Sequence, residues 1–79
     1  MVQIRVEYFA ILREHVGCTH EAVSTPAATV GDLYAELDRR HAFPAVGRLK
    51  VAVNDEFCDW STPLRDGDSV VFIPPVAGG

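Results

Sequence analysis

Few residues in this chain carry the positive charge that nucleic-acid binding requires. Seven Lys and Arg stand against eleven Asp and Glu, which gives a formal net charge of −4, and the cations form no run. Proteins that bind nucleic acid cluster their cations against the phosphate backbone. The composition therefore argues against a nucleic-acid partner.

Cysteine and histidine are also scarce, and their spacing suits neither disulfides nor metal. Cys18 and Cys58 stand far apart without a second cysteine nearby, so the chain has no disulfide framework and no paired metal-ligand motif. His15, His20 and His41 lack the i, i+4 spacing of a helical metal site. We expect two free thiols in a reducing compartment, acting as small buried hydrophobes, and surface or capping roles for the histidines.

Long apolar runs are absent as well. No window approaches the roughly twenty apolar residues of a membrane helix, and the N-terminal stretch lacks the basic start and long apolar core of a signal peptide. No nucleophile and base pair, metal cluster or phosphate-binding loop can be assembled from these residues. We therefore expect a cytoplasmic protein that has no membrane partner and is not an enzyme by itself.

The residues that are present suffice for one packed core. Hydrophobic residues make up 48% of the chain and charged residues 23%, which are ordinary values for a globular protein. Because 79 residues bury too little surface for two cores, we expect a single domain over 1–79. Within it, residues 74–79 are expected to form a flexible C-terminal tail.

Apolar residues repeat with two different periods, which predict strands and one main helix. The helix begins after an N-cap at Thr29 and ends near 39–41, where cations suit the negative end of its dipole. The expected strands are 2–8, 19–24, 49–53, 57–58 and 69–73. A helical turn is expected at 9–12, and chain reversals at Gly17, 54–56 and 66–68.

The first and last strands are the longest and most apolar, so we expect them at the sheet centre. They are predicted to pair in parallel through a crossover that contains the helix. A mixed sheet with one main helix packed across it is an α+β arrangement, the β-grasp (ubiquitin-like) layout. In the last strand, the side chains of Val71 and Ile73 point to one face of the sheet and those of Val70 and Phe72 to the other. Both faces are therefore apolar, and one of them is expected to meet a partner.

The C-terminal segment is the most informative part of the sequence. It reads Pro74-Pro75-Val76-Ala77-Gly78-Gly79, and six extended residues reach on the order of 20 Å. The prolines stiffen its exit from the sheet, and glycines without Cβ can pass through a narrow channel. Once joined to an adenylyl leaving group, a terminal carboxylate can accept a sulfur nucleophile and become a thiocarboxylate. With Gly79 as a free end, the segment is expected to act as an acyl carrier.

These features resemble the small subunits of molybdopterin synthase, within the ubiquitin-like sulfur carriers of the molybdopterin and thiamine pathways. The resemblance spans nearly the whole chain, and its tail is the most specific part. The stretches that carry it are 9–14, 29–33, 51–54, 59–64, 66–68 and 72–79.

The resemblance implies a chemical role for Gly79 and a set of partners. A ubiquitin-activating-type adenylyltransferase would use ATP to adenylate Gly79, which would receive cysteine-derived sulfur through a sulfurtransferase or cysteine desulfurase. The thiocarboxylate would then donate sulfur to cyclic pyranopterin monophosphate inside the large synthase subunit, in a heterotetramer of two small and two large subunits. No cofactor would be bound by this chain. Gly78 would give access to the terminus, and docking is assigned to Phe72, Pro74, Pro75, Val76 and Ala77.

Several alternatives stay open at the level of sequence. A related carrier could deliver sulfur for thiamine, cysteine or tRNA thiolation with the same tail chemistry. A noncovalent β-grasp interaction module would not need the diglycine at all. For Phe72 and Val76, core packing competes with docking, and Trp60 and Tyr34 are most simply explained as aromatic caps on the core.

Overall fold

A computed structural model describes residues 1–44 and 48–74 of the chain. In this part the strands are β1 (Val2–Tyr8), β2 (His20–Thr25), β3 (Lys50–Val53), β4 (Glu56–Phe57) and β5 (Ser69–Ile73). The helices are α1 (Ala10–Val16) and α2 (Val30–His41).

The strands form one mixed sheet in the order β2-β1-β5-β3-β4. β1 runs parallel to β5, with Arg5 opposite Ser69 and Tyr8 opposite Phe72. The other neighbouring strands are antiparallel. The expected β-grasp fold is confirmed, with the first and last strands adjacent near the centre of the sheet.

The predicted boundaries hold for β1 and β5 and shift by a residue elsewhere. The strands β2 and β3 begin one residue later than expected, and β4 one residue earlier. The turn expected at 9–12 is the start of a second helix, α1, which ends at Gly17 in the left-handed conformation (φ 89°). Only Leu12 of α1 is buried, so the sequence shows no apolar stripe at helical spacing from which the length of this helix could be predicted.

The main helix, α2, begins and ends where its sequence signals lie. The Oγ1 of Thr29 accepts a hydrogen bond from the Asp32 backbone N–H at 3.2 Å, which satisfies one of the donors left open in the first turn. At the other end, Ala42 takes a left-handed conformation (φ 51°), and its N–H donates to the Asp38 carbonyl. Both predicted ends are confirmed.

The core fills the space between α2 and one face of the sheet. Its buried side chains are Ile4, Val6, Tyr8, Leu12, Val23, Val30, Leu33, Leu37, Val51, Val70 and Phe72. Because side chains alternate along a strand, their neighbours in β1, β3 and β5 point to the other face of the sheet. We call that other face, on the side away from α2, the outer face.

A polar cluster joins the last turn of α2 to β1 and β2. The Glu21 carboxylate accepts a hydrogen bond from the Tyr8 hydroxyl at 2.7 Å and lies 3.1 Å from Nε2 of His41. Arg40 bridges Glu21 and Glu36 at 3.4 and 3.3 Å. Burial raises the pKa of Glu21, but the hydrogen bonds from Tyr8 and His41, with the charges of His41 and Arg40, outweigh it and hold that pKa below its usual value.

The cysteines match the expectations from sequence only in part, and His15 has the expected capping role. Both cysteines are free, but Cys18 is exposed, so the buried-hydrophobe interpretation is wrong for it; Cys58 is partly buried against the core, as expected. His15 caps α2 by donating from Nε2 to the His41 carbonyl at 2.7 Å. Neither helix within the described ranges is long and apolar enough to cross a membrane.

Candidate docking face and tail root

The outer face of the sheet is open and apolar at its centre. Ala52, Val71 and Ile73 form the floor of a shallow groove of about 490 Å³. Phe9, which follows β1, and Phe57, on the edge strand β4, flank this floor on opposite sides. The two rings widen the apolar floor into one continuous patch.

Phe57 is the most exposed aromatic side chain of this patch. Its side chain stands out from β4 at 69% exposure, opposite Ala52 of β3, and Phe9 is 39% exposed. The ammonium group of Lys50 lies 5.8 Å from the centre of the Phe57 ring, within the range of a cation–π interaction. Exposed aromatic rings beside an apolar floor are typical of the anchoring residues of a protein interface.

Charged and polar side chains surround the apolar centre. Arg5 and Glu7 line the groove from β1, and Asn54 and Asp55 line it from the hairpin turn. That turn has left-handed backbone at both Asn54 and Asp55 (φ 51° and 72°), as a two-residue hairpin requires. An apolar centre with a polar rim is the usual anatomy of a protein–protein interface.

The central strand β5 links the outer face to the start of the tail. Pairing with β1 ends at the Tyr8–Phe72 pair, and pairing with β3 ends at Lys50–Ile73. Pro74 follows and cannot extend either ladder, because it has no N–H. We call Phe72–Pro74 the tail root. A partner bound to the outer face would therefore contact Ile73, next to the residue from which the predicted tail leaves.

The docking role predicted for Phe72 needs correction. Its side chain is fully buried on the α2 side, whereas Val71 and Ile73 line the outer face. Its ring lies 5.3 Å from the Tyr34 ring and 6.2 Å from the Trp60 ring, measured between centroids. Alternation along β5 makes Phe72 a core residue, so core packing, the competing interpretation, accounts for it. Pro74, also assigned to docking, is buried as well.

The remaining predicted site residues lie outside the described residues. They are Pro75, Val76, Ala77, Gly78 and Gly79. Their roles in docking, access and acyl chemistry remain predictions.

Phe9 and Phe57 are aromatic candidate docking residues that sequence reasoning missed. Phe57 was assigned only to a hairpin arm and Phe9 only to a helical turn. A signal was present for Phe57, because Val51 and Val53 must face the core if β3 alternates, which places Ala52 and its hairpin partner on the outer face. No comparable period marks Phe9, since it lies in the junction between β1 and α1.

Comparison with known proteins agrees with this fold over its whole extent. The family model described as "ThiS family" matches residues 6–79. The molybdopterin synthase sulfur carrier subunit of Escherichia coli is 40% identical over 80 residues, which cover 96% of this chain and 99% of that protein.

Two solved structures are similar at the level of the whole domain. The putative molybdopterin converting factor subunit 1 of Pyrococcus furiosus matches with a TM-score of 0.83 and 33% identity, covering 96% of this chain and 100% of that one. A complex of subunits 1 and 2 of the molybdopterin-converting factor from Helicobacter pylori contains a chain with a TM-score of 0.71 and 29% identity, covering 99% of this chain and 100% of that one. The chain therefore belongs to the ThiS family, and its similarity to sulfur carrier subunits extends over nearly its full length.

Proposed function

We propose that this chain is the sulfur carrier subunit of a molybdopterin synthase. The observation that carries the proposal is the position of β5, whose outward side chains Val71 and Ile73 line an open apolar face and whose end leads directly to the Gly78-Gly79 segment. One strand thus joins a surface suited to binding a protein with a segment suited to entering it. The full-length similarity to the E. coli carrier subunit supports the same assignment.

The chemistry is proposed to occur at the carboxylate of Gly79. In the first step this carboxylate attacks the α-phosphorus of ATP, forming an acyl-adenylate and releasing pyrophosphate. In the second step the terminal sulfur of an enzyme persulfide attacks the acyl carbon and AMP leaves, which gives an acyl disulfide. A cysteine thiol of the sulfur-donating enzyme then attacks the enzyme's sulfur in this S–S bond, so that an enzyme disulfide forms and the thiocarboxylate is released. The adenylyltransferase and the sulfurtransferase or cysteine desulfurase supply the catalytic groups and the ATP site, and this chain binds no cofactor of its own.

The outer face is proposed to dock the large synthase subunit. Phe57 and Phe9 would be its anchors, and the tail would extend from Pro74 into the active site of the large subunit through Pro75, Val76 and Ala77. The complex of subunits 1 and 2 from H. pylori supports a partner of this kind. We propose a cytoplasmic heterotetramer of two small and two large subunits, in which each tail donates sulfur to cyclic pyranopterin monophosphate.

The sulfur acceptor tests the proposal against the related carriers. The thiocarboxylated chain is mixed with the large subunit and cyclic pyranopterin monophosphate, and the product is followed by mass spectrometry. We expect molybdopterin to form, and a chain extended by residues after Gly79 to be inactive because its acyl carbon is no longer terminal. A thiocarboxylate that is consumed only by a thiazole-, cysteine- or tRNA-modifying system would reassign the chain to that pathway.

A further inference from the structure

The ring of Phe72 is held between two aromatic side chains on the α2 side of the sheet. The Trp60 ring lies nearly parallel to it, at an interplanar angle of 10° and a centroid distance of 6.2 Å. Tyr34 of α2 meets it edge-on at 5.3 Å and also meets Trp60 at 5.4 Å. Three rings therefore pack against one another beneath the last residues of β5.

The backbone of Trp60 is fixed to the first turn of α2. The Gly31 N–H donates to the Trp60 carbonyl at 2.8 Å, and the Val30 N–H donates to the Thr62 carbonyl at 3.0 Å. These two amides belong to the helix end, where backbone donors have no partner within the helix. A Cβ at Gly31 would lie 3.1 Å from the Trp60 carbonyl oxygen, which shows how closely the two segments approach.

The ladder hydrogen bonds of β5 end within the tail root, so side-chain packing contributes to its conformation. The β1 ladder stops at Phe72, the β3 ladder stops at Ile73, and Pro74 has no N–H to donate. At the tail root, side-chain packing therefore adds to the last ladder hydrogen bonds in setting the path of the chain as far as Pro74. Phe72 and the buried Pro74 supply that packing, and Trp60 covers Phe72.

We propose that Trp60 is a positioning residue for the tail: by clamping Phe72, it fixes the direction in which the chain leaves β5. The inference rests on the proposed function, since a fixed direction matters only if the tail must enter a partner. A tail that already points along its path loses less conformational freedom when the partner binds. Small displacements of a reacting carbon cost rate, so a fixed exit direction at β5 is expected to raise the rate of the step at Gly79.

The first test separates positioning from docking. Three variants are compared by intact mass in single-turnover thiocarboxylation at increasing concentrations of the activating enzyme: Trp60→Leu, Trp60→Phe and, as a control, Ile4→Ala. Ile4 is buried in β1 before the residues that pair with β5, so its truncation destabilises the domain away from the tail root. Each reaction is run at a temperature at which the variant is fully folded.

If Trp60 positions the tail, its replacement should lower the maximal rate and leave the apparent affinity for the activating enzyme nearly unchanged. Trp60→Leu should lower the maximal rate about tenfold while changing the half-saturating enzyme concentration less than about twofold. Trp60→Phe should recover most of that rate because it keeps a ring against Phe72, and Ile4→Ala should react like the wild type. An equal loss of rate in Ile4→Ala, or an unchanged rate in Trp60→Leu, would overturn the proposal.

A second test needs no partner and so distinguishes failure of the clamp from failure of the proposed function. Amide hydrogen exchange is measured along β5 in the free wild-type and variant chains. In Trp60→Leu, amide exchange at 71–73 should accelerate more than exchange at 69–70. In Ile4→Ala, exchange at 71–73 should not accelerate more than exchange at 69–70. Even acceleration along β5 in Trp60→Leu would refute the clamp. A wild-type chain that is never thiocarboxylated would instead refute the carrier function.

Discussion

Tyr8 and Phe72 lie opposite each other in the parallel pair formed by β1 and β5, and both side chains are completely buried beneath α2. This is the last pair in the ladder, so the core ends at the point where the tail root begins. On the opposite side of the same strand, Val71 and Ile73 line the open groove. A short stretch of β5 thus serves the core with one face and the proposed interface with the other.

Phe57→Ala should weaken binding to the large subunit while leaving the domain stable. Truncating an exposed aromatic anchor typically costs about 1–3 kcal/mol of binding free energy, and here it also removes the contact with Lys50. Titration calorimetry with the large subunit measures the loss. The matched control is Ile11→Ala, which removes an exposed apolar side chain from α1 and should bind normally. Equal binding by the two variants would contradict the assignment of the outer face.

The two faces of β5 should respond differently to truncation. Phe72→Ala should lower the free energy of unfolding by about 3–5 kcal/mol, because it empties a fully buried aromatic site. Ile73→Ala should cost far less stability and should instead weaken binding of the large subunit. Urea unfolding and calorimetry on both variants check the contrast. If Ile73→Ala proved the more destabilising of the two, the assigned burial of these side chains would be wrong.

Glu21 should make the stability of the domain depend on acidic pH. Its pKa is lowered on folding from a reference value of 4.5, because Tyr8, His41 and Arg40 stabilise its charge more than burial opposes it. A lowered folded pKa contributes stability that is fully present above the unfolded value and is lost as pH falls through the folded one. When melting temperatures are measured from pH 7 to about pH 3, they should therefore decrease once the pH falls below the reference pKa of 4.5. In Glu21→Gln this decrease should be smaller. Glu14→Gln removes one exposed carboxylate from α1 and is the control for the change in net charge.

Gly31→Ala should destabilise the domain although alanine favours helices. The new Cβ would lie 3.1 Å from the Trp60 carbonyl oxygen, which cannot retreat without stretching its hydrogen bond from the Gly31 N–H. We expect a net loss of about 1 kcal/mol in the free energy of unfolding, after the gain in helix propensity is included. Urea unfolding measures it. A more stable variant would show that the segment around Trp60 yields easily.

Much of the fold could be predicted because its local signals agree with one another. The period of two in β1, the β-branched and aromatic run of β5, the cap at Thr29 and the turn at 66–68 each match the structure. In that turn, Asp68 accepts from the Arg65 N–H at 2.8 Å, a local bond as expected for a turn-forming aspartate. Asp66 instead accepts from the Gln3 N–H at 2.7 Å and so ties the turn to β1.

The docking face was only half predictable. An apolar last strand indicates that one face meets a partner, but the choice between Phe72 and Ile73 depends on which side α2 covers. Only the parallel register with β1, which aligns Phe72 with the buried Tyr8, decides that choice. The position of Phe57 on the outer face could likewise be predicted only from the pairing of the β3–β4 hairpin. The position of Trp60 depends on how the 59–62 segment packs on α2.

The proposed loading of sulfur onto Gly79 can be tested by the intact mass of the protein after reaction. The chain is incubated with a molybdopterin-pathway activating enzyme, ATP and a cysteine-derived sulfur source, beside a known carrier as positive control. We expect exchange of one oxygen for one sulfur, localised to Gly79 by fragmentation and absent when residues are added after Gly79. An unchanged mass while the control carrier is converted, or sulfur found on Cys18 or Cys58 instead, would contradict it.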